Sequence, residues 1–363
     1  MILRFYPKKD ATIYELYPEK NTGLDAVLDI SKTISSTQSF NSRVLIDFDY
    51  TAISQSIVSL GKNPNNFNYF LKLYTTEANE IPVDYTLYCY SLSEDWNMGV
   101  GRFGNIPQTT DGVSWYYRES KTNPATAWPT NSFASTVTAS WNESAGGGSW
   151  YTSSVASQSF SYTTSDVNMN VTSLIREIQS GSHAFHGFII KKSDSAESSS
   201  DIFNSVKFFS KDTHTVYLPV LEARFDDSAN TGSLGYIDMN QDVSIVLSNL
   251  KKNYSEKSSP IFRFAARYTY PVQTFTTSSL YLDEYKLPTG SMYGIRSAQS
   301  EDMIIDFDET YTKLSHDNNG SYAKLYLDSF QPERLYKILL KVPNSANAYD
   351  IFDRDWIFKV TRS

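Results

Sequence analysis

Residues 43–50 read Arg-Val-Leu-Ile-Asp-Phe-Asp-Tyr, and Val44, Ile46 and Phe48 alternate there with Leu45, Asp47 and Asp49. A period of two is what a strand with one core face produces, so Ile46 and Phe48 are predicted to face a core and Asp47 to face away from it. Short aromatic and β-branched runs at 69–74, 85–90, 186–191 and 216–221 repeat the pattern, each bounded by Gly, Pro, Asn or Ser. An all-β protein with very little helix is expected. Two stretches carry helical spacing instead. Val171, Leu174, Ile175 and Ile178 follow i, i+3, i+4, i+7, with Asn170 placed to cap the start and Gly181 just beyond the end. Residues 51–60 carry Ile53, Ile57 and Leu60 at similar spacing before Gly61, which predicts a helical turn.

The 363 residues exceed the usual single-domain range, and two β domains of roughly 230 and 130 residues are the better expectation. The stretch 226–236 is polar and rich in small residues just after a β run closes at 219–225. Domains are therefore placed at 1–228 and 237–363, with a linker at 229–236. The polar stretch from Ser193 to Asp201 reads as a mobile loop between strands. The interval from Asn97 to Ser165, rich in Ser, Thr, Gly and Trp and containing Gly146-Gly147-Gly148, reads as extended loops and short strands draped over one edge of the first sandwich. No repeat with a period of 20–50 residues is visible.

Charge removes some function classes. The balance of 32 basic against 40 acidic residues leaves a net charge of -8, and no basic cluster exceeds the pairs Lys191-Lys192 and Lys251-Lys252, so a nucleic-acid surface is not expected. The single cysteine, Cys89, allows no internal disulfide and reads as packing in an apolar strand. No apolar run reaches the length of a membrane span, and residues 1–7 lack the apolar core of a signal peptide. Sequons at Asn142, Asn170, Asn253 and Asn319 read as chance without such a peptide.

The search for chemistry yields little. His183 and His186 enter a strand, where i and i+3 point to opposite faces, so they do not form a metal pair. Asp47/Asp49 and Asp306/Asp308 share strand faces at i, i+2 and could pair as acids or as calcium ligands, but a solvated strand face is the plainer reading. No nucleophile elbow or phosphate-binding loop is present. No cofactor or metal is expected.

Several short motifs in the first domain follow a recognisable order: Lys9-Asp10-Ala11-Thr12-Ile13-Tyr14-Glu15, Asn21-Thr22-Gly23-Leu24-Asp25, Arg43-Val44-Leu45-Ile46-Asp47-Phe48-Asp49, Trp96-Asn97-Met98-Gly99-Val100-Gly101, Asp111-Gly112-Val113-Ser114-Trp115, Asp166-Val167 to Thr172, and Gly187-Phe188-Ile189-Ile190-Lys191. Over about residues 5–225 this order resembles the DNRLRE-type β jelly roll, a carbohydrate-binding-module-like domain of surface and phage proteins. The second domain shows strand patterns at 243–249, 261–269, 279–285, 302–307, 322–328, 334–342 and 355–361, with Asp317-Asn318-Asn319-Gly320 suited to a tight hairpin. That number of strands suits an immunoglobulin-like sandwich. The passage 306–322 with Gln331-Pro332-Glu333-Arg334-Leu335-Tyr336-Lys337-Ile338 and Trp356-Ile357-Phe358-Lys359-Val360 resembles the C-terminal part of virion structural proteins of tailed phages, marine myophages especially.

Aromatics are the remaining functional candidates. Trp96, Trp115, Trp128, Trp141 and Trp150 fall within 55 residues. They either cap the jelly-roll core, or Trp115, Trp128, Trp141 and Trp150 form a protein interface or a glycan platform, since planar rings serve both. The resemblances imply a non-enzymatic structural component of a tailed-phage virion, at the neck, collar or tail. It would be made in the host cytoplasm and would dock to other virion proteins and to copies of itself, with no nucleic acid or membrane as partner. The alternative is a carbohydrate-binding or host-adhesion module engaging a surface glycan. A third reading, an enzyme of polysaccharide breakdown, lacks an acid, base or nucleophile set.

Overall fold

The computed structural model describes residues 1–35, 38–79, 81–120, 125–129, 137–139, 146–161, 166–201, 203–271, 284–344 and 348–362. The fold is all-β. Among these residues the only α-helices are Tyr50–Ser59, Thr172–Gln179 and Asp194–Ser198, and none is long and apolar enough to cross a membrane. The two longer ones lie where the apolar spacing puts them. Asp49 Oδ1 accepts from the Ala52 amide at the start of the first. Asn170 Oδ1 accepts from the Thr172 amide at the start of the second, and Gly181 follows it with φ +77°.

The chain forms two compact units, Phe5–Ala223 and a second that joins Met1–Arg4 to Arg224–Ser363. This moves the division expected at 228–237. Residues 224–236 belong to the C-terminal unit because their small polar side chains let the backbone run along the Ser315–Asp317 strand. Asn230 bridges His316, the Thr231 amide donates to the His316 carbonyl at 2.9 Å, and Lys286 Nζ donates to the Gly232 carbonyl at 2.8 Å. The first residues join the same unit through Ile2, which is buried in its core cluster with Tyr293 and Ile305.

In the N-terminal unit the large antiparallel sheet runs Ala156–Phe160, Tyr85–Ser91, Phe188–Lys192, Gln38–Phe48, Val27–Ser35, Phe203–Phe209 and Thr75–Asn79, with Pro7–Tyr14 also paired to Gln38–Phe48. A second sheet contains Val220–Arg224, Asn68–Leu73 and Val167–Asn170 in that order. The Gln38–Phe48 strand is central, pairing Ile46 with Phe188 on one side and with Asp10 on the other. Ile46 and Phe48 are buried as expected, but so are Leu45, Arg43 and Asp47. The strand is covered on both faces. Leu45 packs in a separate cluster with Ala11, Ile13, Ile189 and four tryptophans. Trp115, Trp128 and Trp150 of the tryptophan-rich segment therefore lie over the outer face of the sheet, while its Ala156–Phe160 strand forms the sheet's edge.

The C-terminal unit is a sandwich of two sheets. One runs Val243–Leu247, Ile261–Tyr268, Gly320–Lys324, Ser315–Asp317 and the other Asn253–Ser255, Tyr349–Thr361, Arg334–Pro343, Met292–Ser297, Met303–Ile305. Numbered by position along the chain, these nine described strands fall in the orders one-three-seven-six and two-nine-eight-four-five, with the second and ninth parallel. That division is the immunoglobulin-like one. Its core alternates along each strand: Phe262, Phe264 and Ala266 meet Tyr336, Ile338, Leu340, Trp356, Phe358 and Val360. Asn318 and Asn319 make the hairpin turn, with Gly320 at φ +101°. The strand expected at 279–285 falls mostly outside the described residues. Met292–Ser297 was not expected, because Gly294 interrupts its apolar pattern. The glycine sits close under two side chains, since a Cβ would lie 2.9 Å from Met303 Cε and 3.0 Å from the Phe307 ring.

Two buried faces on one strand have a measurable consequence. Phe48→Ala should cost about 3–5 kcal/mol and Leu45→Ala about 2–5 kcal/mol, each through lost burial and a residual cavity. Urea denaturation of the full chain measures both. A Leu45→Ala protein as stable as the parent would mean that the outer face is not packed.

Candidate functional site

The tryptophans go into the protein's own interior. Trp115 is 2% exposed, Trp128 1% and Trp150 3%, all in the cluster over the outer face of the sheet. Their indole edges are used internally: Trp128 Nε1 donates to the Ser114 carbonyl at 3.0 Å, and Trp96 Nε1 to the His186 carbonyl at 3.0 Å. No ring face of Trp115, Trp128 or Trp150 is left for a sugar or a neighbouring subunit. Trp141 lies outside the described residues.

A buried charge cluster organises this layer. Arg43 points out of the central strand into it, and its Nη2 and Nε donate to the two carboxylate oxygens of Glu197 at 2.7 and 3.2 Å. Its Nη1 donates to the Gly147 carbonyl, and its guanidinium lies 4.8 Å from the Trp115 ring and 5.3 Å from the Trp150 ring. Lys191 adds a second cation 3.2 Å from Glu197. Burial alone would push the Glu197 carboxyl up, but the charges of Arg43 and Lys191 outweigh it and hold it below the ordinary carboxylate range. The three glycines serve this site. Gly146 adopts φ +111°, and a Cβ on it would stand 2.2 Å from the Trp115 carbonyl oxygen. The polar stretch Ser193–Asp201, expected to be a mobile loop, is thus the short Asp194–Ser198 helix that carries the buried carboxylate.

Exposed aromatic surface collects elsewhere in the same unit. Tyr14, Tyr17, Phe40 and Phe103 line a cleft of about 200 Å³ together with Asp29, Ser31, Thr33 and Asn41. The strand Val27–Ser35 supplies the polar floor, since its buried Leu28 and Ile30 alternate with Asp29, Ser31 and Thr33. Phe40 sits directly opposite Thr33 on the neighbouring strand. Phe103 comes from a loop that Asn21 pins from beneath. The Asn21 amide donates to the Met98 and Val113 carbonyls at 2.8 Å and its Oδ1 accepts from the Gly101 amide at 2.7 Å. Asp25 then accepts the Phe103 amide with both oxygens at 3.1 Å. The Lys20 ammonium lies 4.3 Å from the Tyr17 ring centre and 4.2 Å from that of Phe103. Tyr17 stays 38% exposed and Phe103 41%.

The floor is acidic and well supplied with donors. Asp29 accepts from Ser205 Oγ at 3.0 Å and Ser31 Oγ at 3.2 Å, and from the Tyr14 hydroxyl. Burial pushes the Asp29 carboxyl up, against the pull of those donors. Burial, reinforced by the charges of Asp29 and Asp25, holds the Tyr14 hydroxyl well above its ordinary range, so it stays protonated and donates. Rings for stacking beside a carboxylate, hydroxyls and an amide make a surface that can hold a polyhydroxylated ligand.

The remaining sequence candidates are accounted for structurally. Asp47 lies 3.5 Å from Lys9 Nζ, and Asp49 caps a helix. Asp308 Oδ1 accepts from the Thr310 and Tyr311 amides in a turn. His183 stacks on Tyr151 with centroids 3.8 Å apart, and its Nε2 lies 3.2 Å from Ser153 Oγ. Among the described residues no group of three or more His, Cys, Asp or Glu is placed to hold a metal ion. Cys89 is fully buried and burial pushes its thiol up. The cleft was missed because its rings come from three separate segments. The period-two run Asp29, Ser31, Thr33 was the legible part of the signal.

No family model matches the chain, and no curated protein does. Among solved structures, the adhesin domain of Epf from Streptococcus pyogenes aligns with 100% of this chain and 92% of its own at 10% identity, with a TM-score of 0.17. A likeness at that level carries no argument about fold or function.

The buried ion pair sets an acid limit. A carboxyl held below its unfolded value contributes stability in full at neutral pH and loses it as pH falls through the folded value. Glu197→Gln should cost about 3–5 kcal/mol at pH 7, because it leaves Arg43 buried with half a partner. The variant should also lose less stability than the parent on going to pH 3, as chemical denaturation at both pH values will measure.

Proposed function

We propose that the protein is a non-enzymatic binding protein of a particle or cell surface whose N-terminal unit holds a glycan in the Tyr14/Tyr17/Phe40/Phe103 cleft. One observation carries the reading: half-exposed rings and a hydrogen-bonding floor converge in one cleft, on a loop that Asn21 and Asp25 hold in place. The order of motifs that resembles the DNRLRE-type, carbohydrate-binding-module-like jelly roll supports it independently. Phe103→Ala and Tyr17→Ala should each lower glycan affinity by an amount equal to roughly 0.5–1.5 kcal/mol of stacking, with circular dichroism and melting temperature unchanged. A glycan array followed by titration calorimetry tests this. Binding unaffected by both changes would remove the cleft from the reading.

The wider setting we propose is a tailed-phage virion, in which the chain docks to other virion proteins and to copies of itself. The observation favouring docking lies in the C-terminal unit. On the outer face of its five-stranded sheet Leu335, Tyr349, Ile351 and Ile357 are exposed, on strands whose alternate residues Tyr336, Trp356 and Phe358 fill the core. An exposed face of this kind, apolar residues interleaved with lysines, is one that a partner can cover. Ile351→Lys and Ile357→Lys should leave the melting temperature within a few degrees of the parent and abolish incorporation into particles. Normal incorporation of the double variant would exclude this face as the docking surface.

A further inference from the structure

One acceptor in the polar lining of the cleft has no hydrogen-bond partner among the described residues, and this deepens the glycan-binding reading, on which it rests. Asn41 is 5% exposed. Its Nδ2 donates to Glu15 Oε2 at 3.2 Å and to the Glu197 carbonyl at 3.4 Å. Those two acceptors fix which end of the amide is nitrogen, so the other end is an acceptor. That Oδ1 is buried without a hydrogen-bond partner among the described residues. Buried acceptors are nearly always paired, and one left over in a cleft is matched when a ligand brings a donor.

The charge balance points the same way. Asp29 is the sole charged side chain among the described residues that line the cleft. It is half-buried, so a second negative charge beside it would be repelled in a partly desolvated site. Two of the nearby cations already hold partners. Lys20 donates to the Phe103 carbonyl at 3.2 Å from above the two rings, and Lys207 pairs with Glu77 at 2.8 Å.

We infer that the cleft selects an uncharged, hydroxyl-rich saccharide, with a ligand hydroxyl donating to Asn41 Oδ1, and rejects sugars that carry carboxylate or sulfate. A hydroxyl meets both demands of the floor, as donor to Asn41 and to Asp29. A uronate carboxylate offers no proton to Asn41 and places its charge against Asp29.

Titration calorimetry of the full chain tests this with neutral gluco-, galacto- and manno-hexaoses set against hexamers of galacturonate and mannuronate. The expected result is binding of at least one neutral hexaose, with every uronate hexamer weaker by roughly tenfold or more. Asp29→Asn, which keeps the side-chain shape, should narrow that gap by strengthening uronate binding, and Asn41→Ala should weaken the neutral hexaose. A uronate hexamer that binds as tightly as the neutral ones overturns the inference. If that binding is lost in Phe103→Ala, the cleft itself stands as the glycan site. Binding that persists in Phe103→Ala, or no binding to any hexamer, overturns the cleft reading together with the inference.

Discussion

A buried arginine on the outer face of the central strand is the constraint on which the N-terminal unit depends. Arg43 is removed from water by the tryptophan layer, and a guanidinium there is tolerable only if its donors are met and its charge balanced. Glu197 supplies two acceptors, Gly147 a third, and the faces of Trp115 and Trp150 lie against the cation. Three segments far apart in sequence are thereby held over one strand. Neither charge could be buried without the other, so the layer forms as a unit, and the rings that make it are not free to serve a partner.

Much of the fold was legible because it follows local periodicity. The strand at 43–49, both longer helices and the Asn318-Asn319 hairpin answer to spacing and turn chemistry alone. What escaped depended on distant partners. Alternation distinguishes two faces of a strand but does not say whether the polar one meets water, and Arg43 and Asp47 look solvated until Glu197 and Lys9 are brought to them. Ser193–Asp201 and 226–236 have the composition of loops, yet a single buried carboxylate in one and a run of backbone hydrogen bonds in the other make both structural. Composition reports what a segment can do without partners. It is silent on partners that lie elsewhere in the chain.

The same limit explains why tryptophan density along the chain does not point to exposed rings. Density of tryptophan along the chain is a sequence property, whereas exposure of a ring is decided by what folds over it. Tyr17 and Phe103 are scattered in sequence and converge only because Asn21 binds the loop at 98–101 and Asp25 the amide of Phe103. Asn21-Thr22-Gly23 belongs to the motif order that resembles the DNRLRE-type jelly roll, so in this chain that motif acts on the cleft by positioning the loop and does not line it.

A cleft of about 200 Å³ covers little more than one sugar ring, which bounds the affinity that the proposed reading can claim. The rings are already in place, so little ordering entropy is spent on binding, but so small a contact still supports only weak affinity per site. Weak single-site binding becomes firm attachment when many copies act together, because each further contact is made at high effective concentration. The two parts of the proposal therefore need one another. An exposed apolar face on the C-terminal unit that assembles copies would turn a shallow saccharide cleft into a multivalent one, and a cleft of this size on an isolated chain would hold a surface only briefly.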